Sequence, residues 1–167
     1  IDHVGCHRSV IARNIFDAMS GNAVQAKGGS TDIDIRQNRI RDGGERAINL
    51  GGSTGFEFLR PPLSTSEPNA EARRIRAFNN IVMGTTNAPF AFVGCTDCLV
   101  ARNAVTGNPR WLIRILQETV TQPPYTFEPA RTGRVINNSF VWHAATLSTH
   151  VNVGANTDAP SFMFSHN

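Results

Sequence analysis

One spacing governs what this chain can fold into. An apolar residue stands three positions before an asparagine and another stands two positions after it, again and again: Ile11-Asn14-Phe16, Ile35-Asn38-Ile40, Ala77-Asn80-Val82, Val100-Asn103-Val105 and Val135-Asn138-Phe140. Phe164-Asn167 opens a sixth copy. Successive asparagines lie 24, 42, 23, 35 and 29 residues apart. The base period is therefore near 24, with extra residues in some copies. A repeat of that length signals an array of stacked supersecondary units.

A second match follows each asparagine. Ala23-Val24-Gln25-Ala26, Ala47-Ile48-Asn49-Leu50, Pro89-Phe90-Ala91-Phe92 and Leu112-Ile113-Arg114-Ile115 occupy equivalent places. Val24, Ile48, Phe90 and Ile113 share one position, and Ala26, Leu50, Phe92 and Ile115 share the next on the same face. Alternation of this kind among β-branched and aromatic residues reads as strand. Gly28, Gly52 and Gly94 then mark a turn. Three short strands per repeat, stacked on themselves, predict an all-β chain, a parallel β-helix (solenoid) of about five to six coils.

The stack gives the asparagine its reason. A bend between two strands needs left-handed or bridge geometry, which the sequence assigns to Asn itself. Coils stacked about 4.8 Å apart would let Asn14, Asn38, Asn80, Asn103 and Asn138 hydrogen-bond up the stack as a ladder. The whole of residues 1–167 reads as one domain. Two Pro-rich stretches interrupt it, near 54–72 and 118–133, and both leave from the corner after the first strand. They should stand on one side of the molecule, the first with a helical turn near Glu67–Arg73 and the second with exposed Tyr125 and Phe127. Neither terminus carries a recognisable cap, so the chain is expected to be a piece of a longer solenoid, or one that associates end to end as a homo-oligomer.

Charge narrows the partners. The net charge is +3, and Lys27 is the single lysine among 16 basic residues. Arginines are scattered at one or two per coil without a dense basic run, which speaks against nucleic acid and for weak general affinity for anions. No run of 18 apolar residues is present to span a membrane. Cys95 and Cys98 form a C-x-x-C, but Cys6 stands three coils away, too far to share a zinc ion or a disulfide with them. Buried structural thiols are the expectation.

Strand, Asn bend, strand, turn, strand and Gly turn together resemble the right-handed parallel β-helix of the pectate-lyase-like superfamily. The resemblance covers nearly the whole chain and identifies fold better than activity. It implies a groove for uronate-rich polysaccharide over the first sheet, the sheet that the strand 23–27 would join. It also implies secretion or a cell-surface location. Many such proteins are lyases that use calcium and an Arg or Lys base. Others are hydrolases with paired Asp, and some are non-catalytic structural or glycan-binding modules.

Carried onto this sequence, the groove face gathers Lys27, Arg46 and Arg114 as candidate catalytic residues. Gln25, Glu45, Asn49, Arg110 and Trp111 are candidate substrate-binding residues. Arginine grips carboxylates bidentately and Trp stacks on sugar rings. The plainer reading is a solvated surface, with Glu45 and Arg46 forming a turn ion pair of little energetic weight. The departures matter equally. Only Glu45, Asp42 and Glu118 are available as calcium ligands, on separate coils, so no metal site is assigned. Asn156-Thr157-Asp158 matches one short hydrolase motif, but its partner Asp pair is missing, and a turn is the simpler reading. The sequon Asn137-Asn138-Ser139 is expected to sit on an inward bend. The expectation is a carbohydrate-active protein on acidic polysaccharide, a lyase before a glycoside hydrolase. The alternative is a non-catalytic β module.

Overall fold

The computed structural model describes residues 1–167. Short strands follow one another in passes. The first holds β1 (Asp2–Val4), β2 (His7–Ala12) and β3 (Ile15–Asp17), and the second β4 (Asn22–Lys27), β5 (Ser30–Arg36) and β6 (Arg39–Arg41). The third begins with β7 (Arg46–Gly51) and, after the first insertion, continues as β8 (Ala72–Arg73), β9 (Arg76–Phe78) and β10 (Ile81–Met83). The fourth is β11 (Ala88–Val93), β12 (Cys95–Thr96), β13 (Leu99–Ala101) and β14 (Ala104–Gly107). In the fifth, β15 (Trp111–Leu116) leads through the second insertion to β16 (Arg134–Ile136) and β17 (Ser139–Trp142). Strands β18 (Thr149–Val153) and β19 (Met163–Ser165) follow.

Every strand pairs with its counterpart one pass away, and every pairing within the sheets is parallel. The first sheet runs β1-β4-β7-β11-β15-β18 and the third runs β3-β6-β10-β14-β17. The second joins β2, β5, β8, β9, β12, β13, β16 and β19. The sheets are all-parallel and strongly curled. Register stacks Val24 on Ile48, Ile48 on Phe90, Phe90 on Ile113 and Ile113 on Val151. Like thus lies on like, and the enclosed core of Ile33, Ile35, Ile40, Ile48, Leu50, Phe90 and Phe92 is fully buried.

Between the second and third sheets the asparagines meet. Asn14 Nδ2 donates to Asn38 Oδ1 at 3.0 Å, Asn38 to Asn80 at 3.0 Å, and Asn80 to Asn103 at 3.0 Å. The row continues from Asn103 to Asn138 at 2.9 Å and from Asn138 to Asn167 at 2.8 Å. The second amide proton is also used: Asn38, Asn80 and Asn103 donate to the carbonyls of Ile11, Ile35 and Ala77. Each acceptor oxygen takes a backbone N–H as well, as when Asn38 N–H donates to Asn80 Oδ1. Asn80 is 1 % exposed, so its amide satisfies backbone groups that water cannot reach.

The left-handed residue is not the asparagine but the one before it. Arg13, Gln37, Asn79, Arg102, Asn137 and His166 all have φ between 53° and 61°. The asparagine must aim its amide inward, so the preceding residue closes the bend with its side chain outward. Such a conformation costs a non-glycine residue roughly 1–2 kcal/mol, offset by the paired amides. The same shift corrects the sequon: its acceptor Asn137 is exposed, while Asn138 is the inward residue. A second left-handed column, Arg8, Asp32, Arg74, Asp97 and Thr132, bends the second sheet. In it Arg74 binds Asp32 at 2.7 Å and Thr132 Oγ1 donates to Asp97 at 2.7 Å.

The insertions pack on each other. Phe56 meets Tyr125 and Phe127 with ring centroids 5.7 and 5.5 Å apart. Asn69 N–H donates to Thr126 O at 2.9 Å, and Glu128 N–H to Asn69 O at 2.8 Å. Phe127 is therefore buried rather than exposed, because Phe56 covers it. The expected helical turn at Glu67–Arg73 is absent: the only short helix of the first insertion is a 3-10 turn at Phe56–Phe58. Residues 72–73 are instead drawn into strand β8 between β5 and β12. Glu71, immediately before that strand, is fully buried. Its carboxylate accepts from Gly28 N–H (3.0 Å), Thr54 N–H (2.9 Å), Thr54 Oγ1 (2.7 Å) and Thr119 Oγ1. One side chain thus ties the second pass to both insertions. Cys95 and Cys98, expected as buried thiols, are joined as a disulfide, their Cα atoms 6.3 Å apart across the turn between β12 and β13.

Candidate functional site

The outward face of the first sheet carries three rows. The central row reads Asp2, Gln25, Asn49, Ala91, Arg114 and Asn152 in direct register. Beside it, Arg46 pairs with Asn22 and Ala88, and Trp111 with Thr149. On the other side Lys27 lies against Val4.

Arg46 and Arg114 sit on the third and fifth passes, two strand spacings across the sheet and three residues out of register, so roughly 14 Å apart at the backbone. The strand between them offers Ala88 and Ala91, so nothing bulky separates their long side chains. Arg46 Nη1 donates to Asn49 Oδ1 at a long 3.4 Å. Its Nη2 lies 3.6 Å from Glu118 Oε1, and its side chain is 13 % exposed. The Nε of Arg46 and the Nε of Arg114 are both buried without a hydrogen-bond partner. Arg114 lies with its guanidinium 4.4 Å from the centre of the Trp111 ring, and Arg110 lies 4.6 Å from it. Burial, and next the Arg46 guanidinium, hold the Arg114 pKa below the ordinary arginine range, while Glu118 opposes them. The cluster is three guanidiniums and a Trp with one carboxylate at arm's length.

Among the sequence-derived candidates, Arg46, Asn49, Arg110, Trp111 and Arg114 lie together. Gln25 is one strand further along the central row, accepting from Asn22 Nδ2 at 3.2 Å. Lys27 stands apart from them, in an ion pair with Asp2 at 3.4 Å. Glu45 is exposed and does not pair with Arg46. Alternation along the chain separates them: Arg46 begins β7, whereas Glu45 belongs to the preceding bend. Glu118 takes the place assigned to Glu45. It lies just beyond β15, so its place at the mouth of the second insertion puts it over Arg46. Glu71 carries no periodic signal in the sequence, since it ends a Pro- and Ser-rich stretch.

No protein-family model, curated protein or solved structure matches this chain. The donor set on this face does not fit calcium. One carboxylate held toward an arginine, beside amides, lacks the clustered oxygens that Ca²⁺ needs. No three His, Cys, Asp or Glu side chains converge anywhere to hold a metal ion. No helix is long and apolar enough to cross a membrane.

Proposed function

We propose that the chain is a right-handed parallel β-helix of the pectate-lyase-like kind, with an asparagine ladder, and that its first sheet binds an acidic, uronate-containing polysaccharide. The observation that carries this reading is the pair Arg46 and Arg114, with buried and unpartnered Nε atoms beside Trp111. A sugar carboxylate supplies the missing acceptors, since guanidinium and carboxylate match as a bidentate fork. The exposed Arg110, stacked on the buried Trp111 ring, provides a charged shoulder for the neighbouring sugar.

Two forms of the reading differ in chemistry. As a lyase, the protein would draw the C5 proton to Arg114, the basic residue on the central row of this face. Arg46 would neutralise the carboxylate as charge develops on it. The C5–H electron pair would then form the C4–C5 double bond as the C4–O bond breaks, and the departing oxygen would take a proton from water. As a binding module, the same pair would hold the uronate without cleavage. Glu118 alone at the pair leaves no second carboxylate for hydrolytic acid–base chemistry.

Titration calorimetry with acidic oligosaccharides, together with ultraviolet absorbance of the unsaturated product, tests the reading. Wild-type protein binds, and Arg114→Ala weakens binding on the order of 10- to 100-fold, the worth of a charge-assisted hydrogen bond. Product from wild type but not from Arg114→Ala identifies the lyase; binding without product identifies the module. Equal binding by Arg114→Ala and wild type, or no binding by either, refutes the site.

A further inference from the structure

The Glu118 carboxylate is only loosely held. It makes no hydrogen bond as acceptor, its one ionic contact spans 3.6 Å, and its side chain is 36 % exposed. That separation is well beyond the 2.7–2.9 Å of a charge-assisted bond. It also lies in the insertion, after β15 has ended, where no strand pairing fixes it. Every other carboxylate contact to arginine in this chain is shorter, as in Arg73 to Glu128 at 2.7 Å or Arg74 to Asp32 at 2.7 Å. The guanidiniums it approaches are correspondingly under-used: Arg114 Nε and Arg46 Nε have no partner.

We infer that Glu118 is a tethered competitor, a carboxylate of the protein's own that the ligand carboxylate displaces from the Arg46–Arg114 pair. This rests on the anionic-ligand reading of the site but needs only that the ligand carry a carboxylate. With the site empty, Glu118 partly neutralises two arginines that would otherwise repel each other. On binding, the ligand carboxylate accepts from the guanidinium N–H groups and the Glu118 side chain rotates out to solvent, while Gln117 and Thr119 on either side stay tied to Glu128 and Glu71. Glu118 thereby sets the affinity threshold: a ligand must outbid a local carboxylate, so a single weak anion competes poorly while a chain of linked uronates, held at several points, competes well. Glu118 is a specificity-setting residue and not a catalytic one.

The test uses acetate, a carboxylate without a sugar, on the whole chain at fixed ionic strength. The Nε–H signals of Arg46 and Arg114 are read by NMR in wild type and in Glu118→Gln. Glu118→Gln is expected to bind acetate about 2- to 5-fold more tightly, the scale of an exposed ion pair removed from competition. Arg114→Ala should lose the acetate response in both backgrounds. Acetate binding that is unchanged or weaker in Glu118→Gln overturns the inference, as does the absence of a response in both forms. If acetate behaves as expected while acidic oligosaccharides bind to neither form, the competitor stands and the polysaccharide reading falls.

Discussion

Replacing Glu71 by Gln tests what holds the insertions to the sheets. The two residues have nearly the same shape, so the perturbation is confined to one oxygen becoming an NH₂. Either orientation of that amide fails. On the Oε1 side it meets the N–H of Thr54, and on the Oε2 side it meets the N–H of Gly28. The Thr54 and Thr119 hydroxyls can rotate to accept, but a backbone N–H cannot reverse. One buried donor is left facing another, at a cost of about 1–3 kcal/mol, and the remaining bonds lose charge assistance worth about 1–2 kcal/mol. The expected loss is about 2–5 kcal/mol, a large part of the 5–15 kcal/mol typical of a whole domain. Urea unfolding with a two-state fit measures it, and native-state amide exchange at Gly28 and Thr54 localises it. A Gln variant within about 0.5 kcal/mol of wild type, with both amides still protected, would refute the argument.

Two further outcomes follow from the same kind of accounting. Asn80→Ala strips partners from the Ile35 carbonyl and the Asn38 N–H, both buried, and should cost about 2–5 kcal/mol in urea unfolding; a loss below about 1 kcal/mol would show that water enters the bend. Asp17 and Asp32 are held below the ordinary aspartate value of 3.8, chiefly by hydrogen bonds from Arg41 and Arg74. Their contribution is therefore present above that value and is lost as the pH falls through the lower folded-state values. The urea midpoint should drop below about pH 4, slightly because both pairs are exposed, and Arg74→Gln should flatten the fall; an unchanged slope would remove the pair from the account.

The strand positions were readable in the sequence because every pass places the same residue types at the same phase. Val24, Ile48, Phe90 and Ile113 align by eye and stack in register. Readings failed where a residue's role depends on a distant partner. Spacing suggested Glu45 for Arg46 because the two are adjacent, but side-chain alternation sends them apart and a carboxylate 72 positions on takes the role. Phe127 looked exposed because its cover, Phe56, lies in the other insertion. The bend was assigned to Asn, whose tolerance of left-handed geometry is real, yet six inward amides leave that conformation to the residue before. Of the candidate site, the arginines and Trp111 were legible as outward positions on one strand face; the unpartnered Nε atoms depend on how side chains from separate passes pack, which spacing does not encode.

The asparagine row has a consequence for how such a chain can change. Intervals between neighbours in the row vary from 23 to 42 residues, while their amide bonds stay between 2.8 and 3.0 Å. Length is free and phase is not. A segment can be spliced in at the corner where the two insertions leave, provided the chain returns with its next asparagine at the same height. A single residue added between an asparagine and the apolar positions beside it breaks the phase for that pass. The corner columns vary as freely as the insertions: Arg, Gln, Asn, Arg, Asn and His all close the same bend. The chain therefore separates a rigid inner grammar from an outer surface on which new loops and new charges can be written.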